Sequence, residues 1–149
     1  MAQFELEGFE EMQDAFRAIE SIPWKITKEA VDAMGVAAAD KVRETGLAMG
    51  VWDDDPDVSE HILNHVDHSK PMATETGGKS FIVFKGSRRR GNTVTRNAHI
   101  AYVNEYGAPK RGIQARPFIL QAMKANEEEI AAAADAIIGD FIEKTFGNG

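Results

Sequence analysis

Residues 97–118, NAHIAYVNEYGAPKRGIQARPF, decide how the chain is read. Ile100, Val103 and Tyr106 recur at helical spacing, with Ala101 beside them, and predict a short helix over residues 97–106. Asn97 is the residue type that caps a helix start. Gly107 stands where a helix ends, with Pro109 just beyond it. The next residues, APKRGIQA, predict a loop. Pro117 then suits the first position of a new helix, with Phe118 as its first apolar anchor. The stretch is therefore a corner joining a short helix to the terminal helix.

Downstream, Phe118, Met123, Ile130, Ala134, Ile137, Ile138 and Phe141 mark the apolar side of a helix over residues 117–145. Continuous, it is about 43 Å long; alternatively Glu127, Glu128 and Glu129 open a second helix after Asn126. Upstream, KSFIVFKGS (79–87) predicts a strand, with Phe81 and Val83 on one face, Ile82 and Phe84 on the other, and both faces covered. SRRRGNT forms its tip, where Gly91 and Asn92 tolerate positive φ. Trp24, Lys28, Val31, Met34, Ala38, Val42 and Met49 predict a long helix over residues 24–50. Its Gly35 and neighbouring alanines leave room for close packing. Phe9, Met12, Phe16 and Ile19 predict an earlier helix over residues 8–21. Residues 51–57, VWDDDPD, predict a solvated acidic loop, and residues 58–74 the start of a strand. This order predicts an α+β fold: one domain over residues 1–149, an antiparallel sheet packed against long N-terminal and C-terminal helices.

The chain has no Cys, so disulfides and thiolate metal sites are excluded. No apolar run approaches the roughly 18 residues of a membrane span, and no membrane partner is expected. The opening MAQFELEGFEEMQD lacks the basic-then-apolar order of a signal peptide, and a cytoplasmic site of synthesis is expected. The net charge of −7 is unevenly spread. Lys79 to Arg116 holds nine basic residues and one acid, a charge of +8, and the rest of the chain holds eight basic and 23 acidic residues, a charge of −15. Such a chain can attract opposite faces of its own copies, or place a basic patch on an acidic body.

His61, His65 and His68 have a helical metal-ligand spacing, but Ile62, Leu63 and Asn64 leave no catalytic Glu between the first two. Counting from Asp53, a calcium loop needs Gly sixth and Glu twelfth; Val58 and Asn64 stand there. No nucleophile elbow and no phosphate loop is present: Gly77-Gly78-Lys79 has the wrong spacing. The sequence reads as non-enzymatic, without cofactor or metal. Lys85, Arg88, Arg89, Arg90, Arg96, Lys110 and Arg111 are the candidate contacts to a partner or to DNA. Two readings stand. The basic 85–96 loop meets acidic surface on a neighbouring copy, or it grips nucleic-acid phosphates without reading sequence.

Glu105-Tyr106-Gly107, a brief basic loop, then Ala115-Arg116-Pro117-Phe118 opening the last helix resembles the tail-component or tail-completion proteins of long-tailed bacteriophages, in the gene-product-ten class. FKGSRRRGNTVTRNAHIA resembles one branch of them. Many members carry a Thr-Gly-x-Leu turn after the long helix, where this chain has DPDVSEHIL. The resemblance implies a structural virion protein at the head–tail joint, present in the host cytoplasm during assembly. It implies a homo-oligomeric ring, commonly a hexamer, touching neighbouring neck and tail proteins: head-closure, tail-terminator or tail-tube subunits. Non-specific contact with double-stranded DNA is the alternative role of the basic loop. Within the motif, Arg116 is expected to pair with Glu105, and Phe118 to enter the core.

Overall fold

The computed structural model describes residues 4–5, 22–53 and 61–146. The helix expected over residues 8–21, and Asp54, Asp55 and Asp57 of the acidic loop, lie outside them. The architecture is α+β.

A two-residue strand, β1 (Phe4–Glu5), precedes the long helix α1 (Trp24–Ala48). Pro23 fits the start of α1 because its own N–H is not needed there, while its carbonyl accepts from the N–H groups of Ile26 and Thr27. Val31, Met34, Ala38 and Val42 are buried along one stripe, as their spacing requires. Trp24 and Lys28 lie off that stripe and are exposed, contrary to expectation. Gly35 permits the close approach expected of it: a Cβ there would stand 2.4 Å from Cγ of His68.

A 3₁₀ turn (Ile62–Asn64) leads into β2 (Val66–His68). β3 (Met72–Thr74) and β4 (Gly77–Lys79) form an antiparallel hairpin, and β5 (Phe81–Phe84) follows. β5 is the centre of a three-stranded antiparallel sheet in the order β1-β5-β2. A serine pair makes the bend between this sheet and the β3–β4 hairpin. The Ser80 hydroxyl donates to the Ser69 carbonyl at 2.7 Å, and Phe81 N–H donates to Ser69 Oγ at 2.9 Å. Ile82 and Phe84 are buried, whereas Phe81 and Val83 are half-buried. The sheet therefore has one core face and one partly covered face, not the two covered faces its continuous apolar run suggested.

A second hairpin joins β6 (Ser87–Arg90) to β7 (Thr93–Arg96), and α2 (Asn97–Tyr106) follows without a linker. Ile100, Ala101 and Val103 of α2 are buried, as predicted. Tyr106 is exposed instead of joining them. Six residues from Ile100 is a rotation about 120° short of two turns, so Tyr106 lies with Tyr102, its i−4 neighbour, at 4.7 Å between ring centroids.

The terminal helix is divided into α3 (Phe118–Ala125) and α4 (Glu127–Phe146), matching the alternative of a new start after Asn126. The Asn126 amide turns back to donate to the Ala122 carbonyl at 2.8 Å, the local competition with helix geometry that its side chain favours. Phe118, Ile119, Ala122, Ile130, Ala134 and Ile138 are buried in the cluster that also holds Met34, Ala38 and Val42 of α1. Small residues on α1 and α4 let the two long helices pack closely. Phe118 is wholly buried and meets Phe84 edge-on at 6.0 Å, which ties α3 to the sheet.

Candidate assembly surface

The basic hairpin is built by the two-residue period of a strand. Arg88 and Arg90 project to one face of β6 and Arg89 to the other. Arg88 stands opposite Thr95 and Arg90 opposite Thr93, so these four line one face; Arg89 and Val94 share the opposite face. The run of three arginines is therefore not one patch.

Arg88 corrects the expected contact set, because it faces inward. Its side chain is 7% exposed and the Asp53 side chain is fully buried. The guanidinium donates to Asp53 through two bonds, 2.5 and 2.9 Å, and to Asn97 Oδ1 at 3.1 Å. Asp53 Oδ2 also accepts from the Ile62 N–H at 2.8 Å. Burying the two charges is tolerable only because each is met by such directed bonds. Asp53 is thus an internal anchor and not part of a solvated acidic cluster.

Asn97 is also reassigned. Arg96 occupies the cap position, and the Asn97 amide donates to the Lys85 carbonyl at 2.8 Å while its oxygen receives Arg88. It fastens the hairpin to α2 instead of capping the helix. Further along α2, Asn104 exchanges two bonds with the backbone of Trp52, both 2.8 Å. The signal for Asn104 in the sequence is an amide inside an apolar helical stripe, a sign of a specific buried contact.

The corner after α2 depends on Glu105. It is 3% exposed, and its carboxylate accepts from the N–H groups of Ile119 at 3.1 Å and Leu120 at 2.9 Å. It caps α3 from another helix, placing negative charge at the positive end of the helix dipole. Burial raises its pKa above the usual carboxylate range, and the two backbone bonds oppose that rise. The expected pairing of Glu105 with Arg116 is not formed: Arg116 is exposed, and only its backbone is held, donating to the Asn104 carbonyl at 2.6 Å. Desolvated N–H groups at a helix start compete better for a buried carboxylate than a solvated guanidinium does. Pro117 stands at the cap position of α3, one residue earlier than expected. Ala115 is exposed, and it is its backbone that lies close to Gly107. Gly107 has φ +74°, and a Cβ there would lie 2.8 Å from the Ala115 nitrogen and 2.9 Å from the Ile113 oxygen.

A cleft of about 410 Å³ lies between the hairpin and α2. One wall is the Arg88, Arg90, Thr93 and Thr95 face of the hairpin; Ile100 and Val103 supply apolar lining from α2, and His99, Trp52 and Arg111 complete it. Lys110 and Arg111 are exposed on a 3₁₀ turn (Pro109–Arg111) beside it. Arg89 and Arg96 are exposed away from the wall-forming residues. Lys85 is exposed and paired with Asp67 at 2.7 Å, which holds the Asp67 carboxyl below the usual range.

The histidines take separate structural positions. His61 Nδ1 accepts from the Leu63 N–H, and His68 lies against Gly35 with Nε2 3.6 Å from Asp32. Among the described residues no group of three His, Cys, Asp or Glu side chains is arranged to hold a metal ion. No helix among them is long and apolar enough to cross a membrane. No protein-family model, curated protein or solved structure matches the chain.

Proposed function

We propose that this chain is a structural subunit at the head–tail joint of a tailed bacteriophage, joining copies of itself into a ring that completes the tail or connects it to the head. The observation that carries the reading is the ordered pattern Glu105-Tyr106-Gly107 followed by Ala115-Arg116-Pro117-Phe118. Three of its residues have definite duties in one corner: Glu105 caps α3, Gly107 makes the turn, and Phe118 enters the core. The uneven charge supports it too, since a basic segment on an acidic chain favours contact between unlike faces of identical copies. Neighbouring neck or tail proteins are the further partners.

Light scattering and electron microscopy of the purified chain, alone and mixed with neck and tail proteins, test this. Rings in either setting are expected. A strict monomer in both overturns the reading.

A second reading is favoured by Arg89 and Arg96, which are exposed on the hairpin: they suit a sequence-independent grip on duplex phosphates. It requires salt-dependent duplex binding that falls when Arg89, Arg90 and Arg96 are replaced by Ala. Arg88 is left in place because it holds Asp53.

A further inference from the structure

We infer that the cleft between the β6–β7 hairpin and α2 receives the acidic start of α4, Glu127 and Glu128, from a second copy of the chain. This rests on the ring proposed above and names the contact that would form it.

The cleft has the chemistry of a site for an acidic segment. Ile100 and Val103 give it apolar lining, Thr93 and Thr95 supply hydroxyl groups, and His99 and Arg111 stand at it from an exposed helix face and turn. Arg88, in the wall, is already answered by Asp53. Arg90 and Arg111 are the exposed cations of the lining, and Arg111, on the turn after α2, is the one we assign to an incoming carboxylate.

Charge complementarity favours an occupant that presents adjacent, unpaired acids together. Several exposed acids of the described residues are already in ion pairs: Glu129 and Glu44 with Lys41, Asp40 with Arg43, and Asp140 with Lys144. Glu127 and Glu128 are exposed, adjacent, and in no ion pair among the described residues. They open α4, so they sit on a rigid helix and not on a loop. Because the cleft and the α4 start are different patches, the contact is heterologous. Each copy carries one patch of each kind, so copies can join head to tail, as a closed ring requires.

Sedimentation velocity on the full chain tests this, in whichever setting the wild type assembles. Arg111→Glu alone, and Glu127→Arg with Glu128→Arg, should each weaken self-association about tenfold or more, because like charges then face each other. Combining all three substitutions should restore association to within about threefold of wild type. Mixing the two defective chains should restore assembly with the two chains alternating, since each cleft then meets an α4 start of opposite charge on the other chain. Arg89→Glu changes the net charge equally on the other hairpin face and should leave assembly unchanged. Assembly of Arg111→Glu at wild-type strength, or no recovery in the combined chain, overturns the inference while leaving the ring reading intact. So does loss of binding to a short labelled DNA duplex in Arg111→Glu with assembly unaffected, which would make the cleft a phosphate site. A wild type that never assembles removes both readings together.

Discussion

Replacing Glu105 by Ala should destabilise the chain by about 2–4 kcal/mol, whereas Gln should cost about 1 kcal/mol or less. The carboxylate takes hydrogen bonds from two N–H groups at the start of α3, and hydrogen bonds to charged groups contribute about 1.5–3 kcal/mol each. The cost of keeping a charge at 3% exposure offsets part of that total. Gln retains one acceptor oxygen in the same place without the buried charge. For a chain of 149 residues, each kcal/mol lowers Tm by about 2–4 °C, so the Ala variant should melt about 5–15 °C below wild type. Calorimetry at neutral pH reads this directly.

The same residue makes a pH prediction. Its folded pKa is raised by burial, so over the interval between the ordinary glutamate value and the raised one the folded state binds more protons than the unfolded state. The Glu105 contribution to stability therefore falls as pH rises through that interval and is constant above it. Glu105→Gln should remove that component of the pH–stability curve and leave the remainder. An Ala variant as stable as wild type, or Ala and Gln variants equally destabilised, would show that Glu105 does not cap α3.

Asp53→Ala takes the bidentate partner from a guanidinium that is 7% exposed and should cost about 3–5 kcal/mol in chemical denaturation, while replacing Asp53 and Arg88 together by apolar residues should cost less than the single change. Gly107→Ala should cost about 2 kcal/mol or more, since φ is +74° and the atoms a Cβ meets are backbone that cannot swing away. Phe118→Ala should lose about 3–5 kcal/mol, read as a shift of the denaturation midpoint, because the ring is fully buried against Phe84.

The α+β order was legible because long periodic segments and glycine or proline punctuation are local signals. The α1 stripe, the FIVF strand and the stop at Gly107 all have this form. What escaped is what depends on distant partners. Asp53 and Arg88 are 35 positions apart, and nothing around either announces that one acid of four and one arginine of three will pair inside. Glu105 stands out in its motif, but the motif also holds a conspicuous cation in Arg116, while the real partners are backbone N–H groups, which have no letter in a sequence. The split of the arginine run was legible in principle. A strand period of two forbids three neighbours from sharing a face, a constraint that does not apply when SRRRGNT (87–93) is the tip and not, as found, largely strand.

The corner and the cleft meet in α2, and this gives the motif an indirect bearing on assembly. The buried side of α2 carries Ile100, Val103 and Glu105; its buried amides Asn97 and Asn104 fasten the hairpin and the Trp52 segment. His99, Ile100 and Val103 of the same helix line the cleft, and Arg111 enters from the turn that Gly107 makes possible. A change at Glu105 or Gly107 therefore shifts the placement of α2 relative to Arg111 as well as weakening the corner. Surface changes at Arg111 or Glu128 touch charge without touching the core. The two classes should separate experimentally: corner variants lower both melting temperature and assembly, while Arg111→Glu lowers assembly at unchanged melting temperature. Paired corner and surface substitutions should then be less than additive in assembly free energy, since the corner acts on assembly through the placement of Arg111. A melting temperature lowered by Arg111→Glu alone would mean that Arg111 acts on the fold of the corner and not on a neighbouring copy.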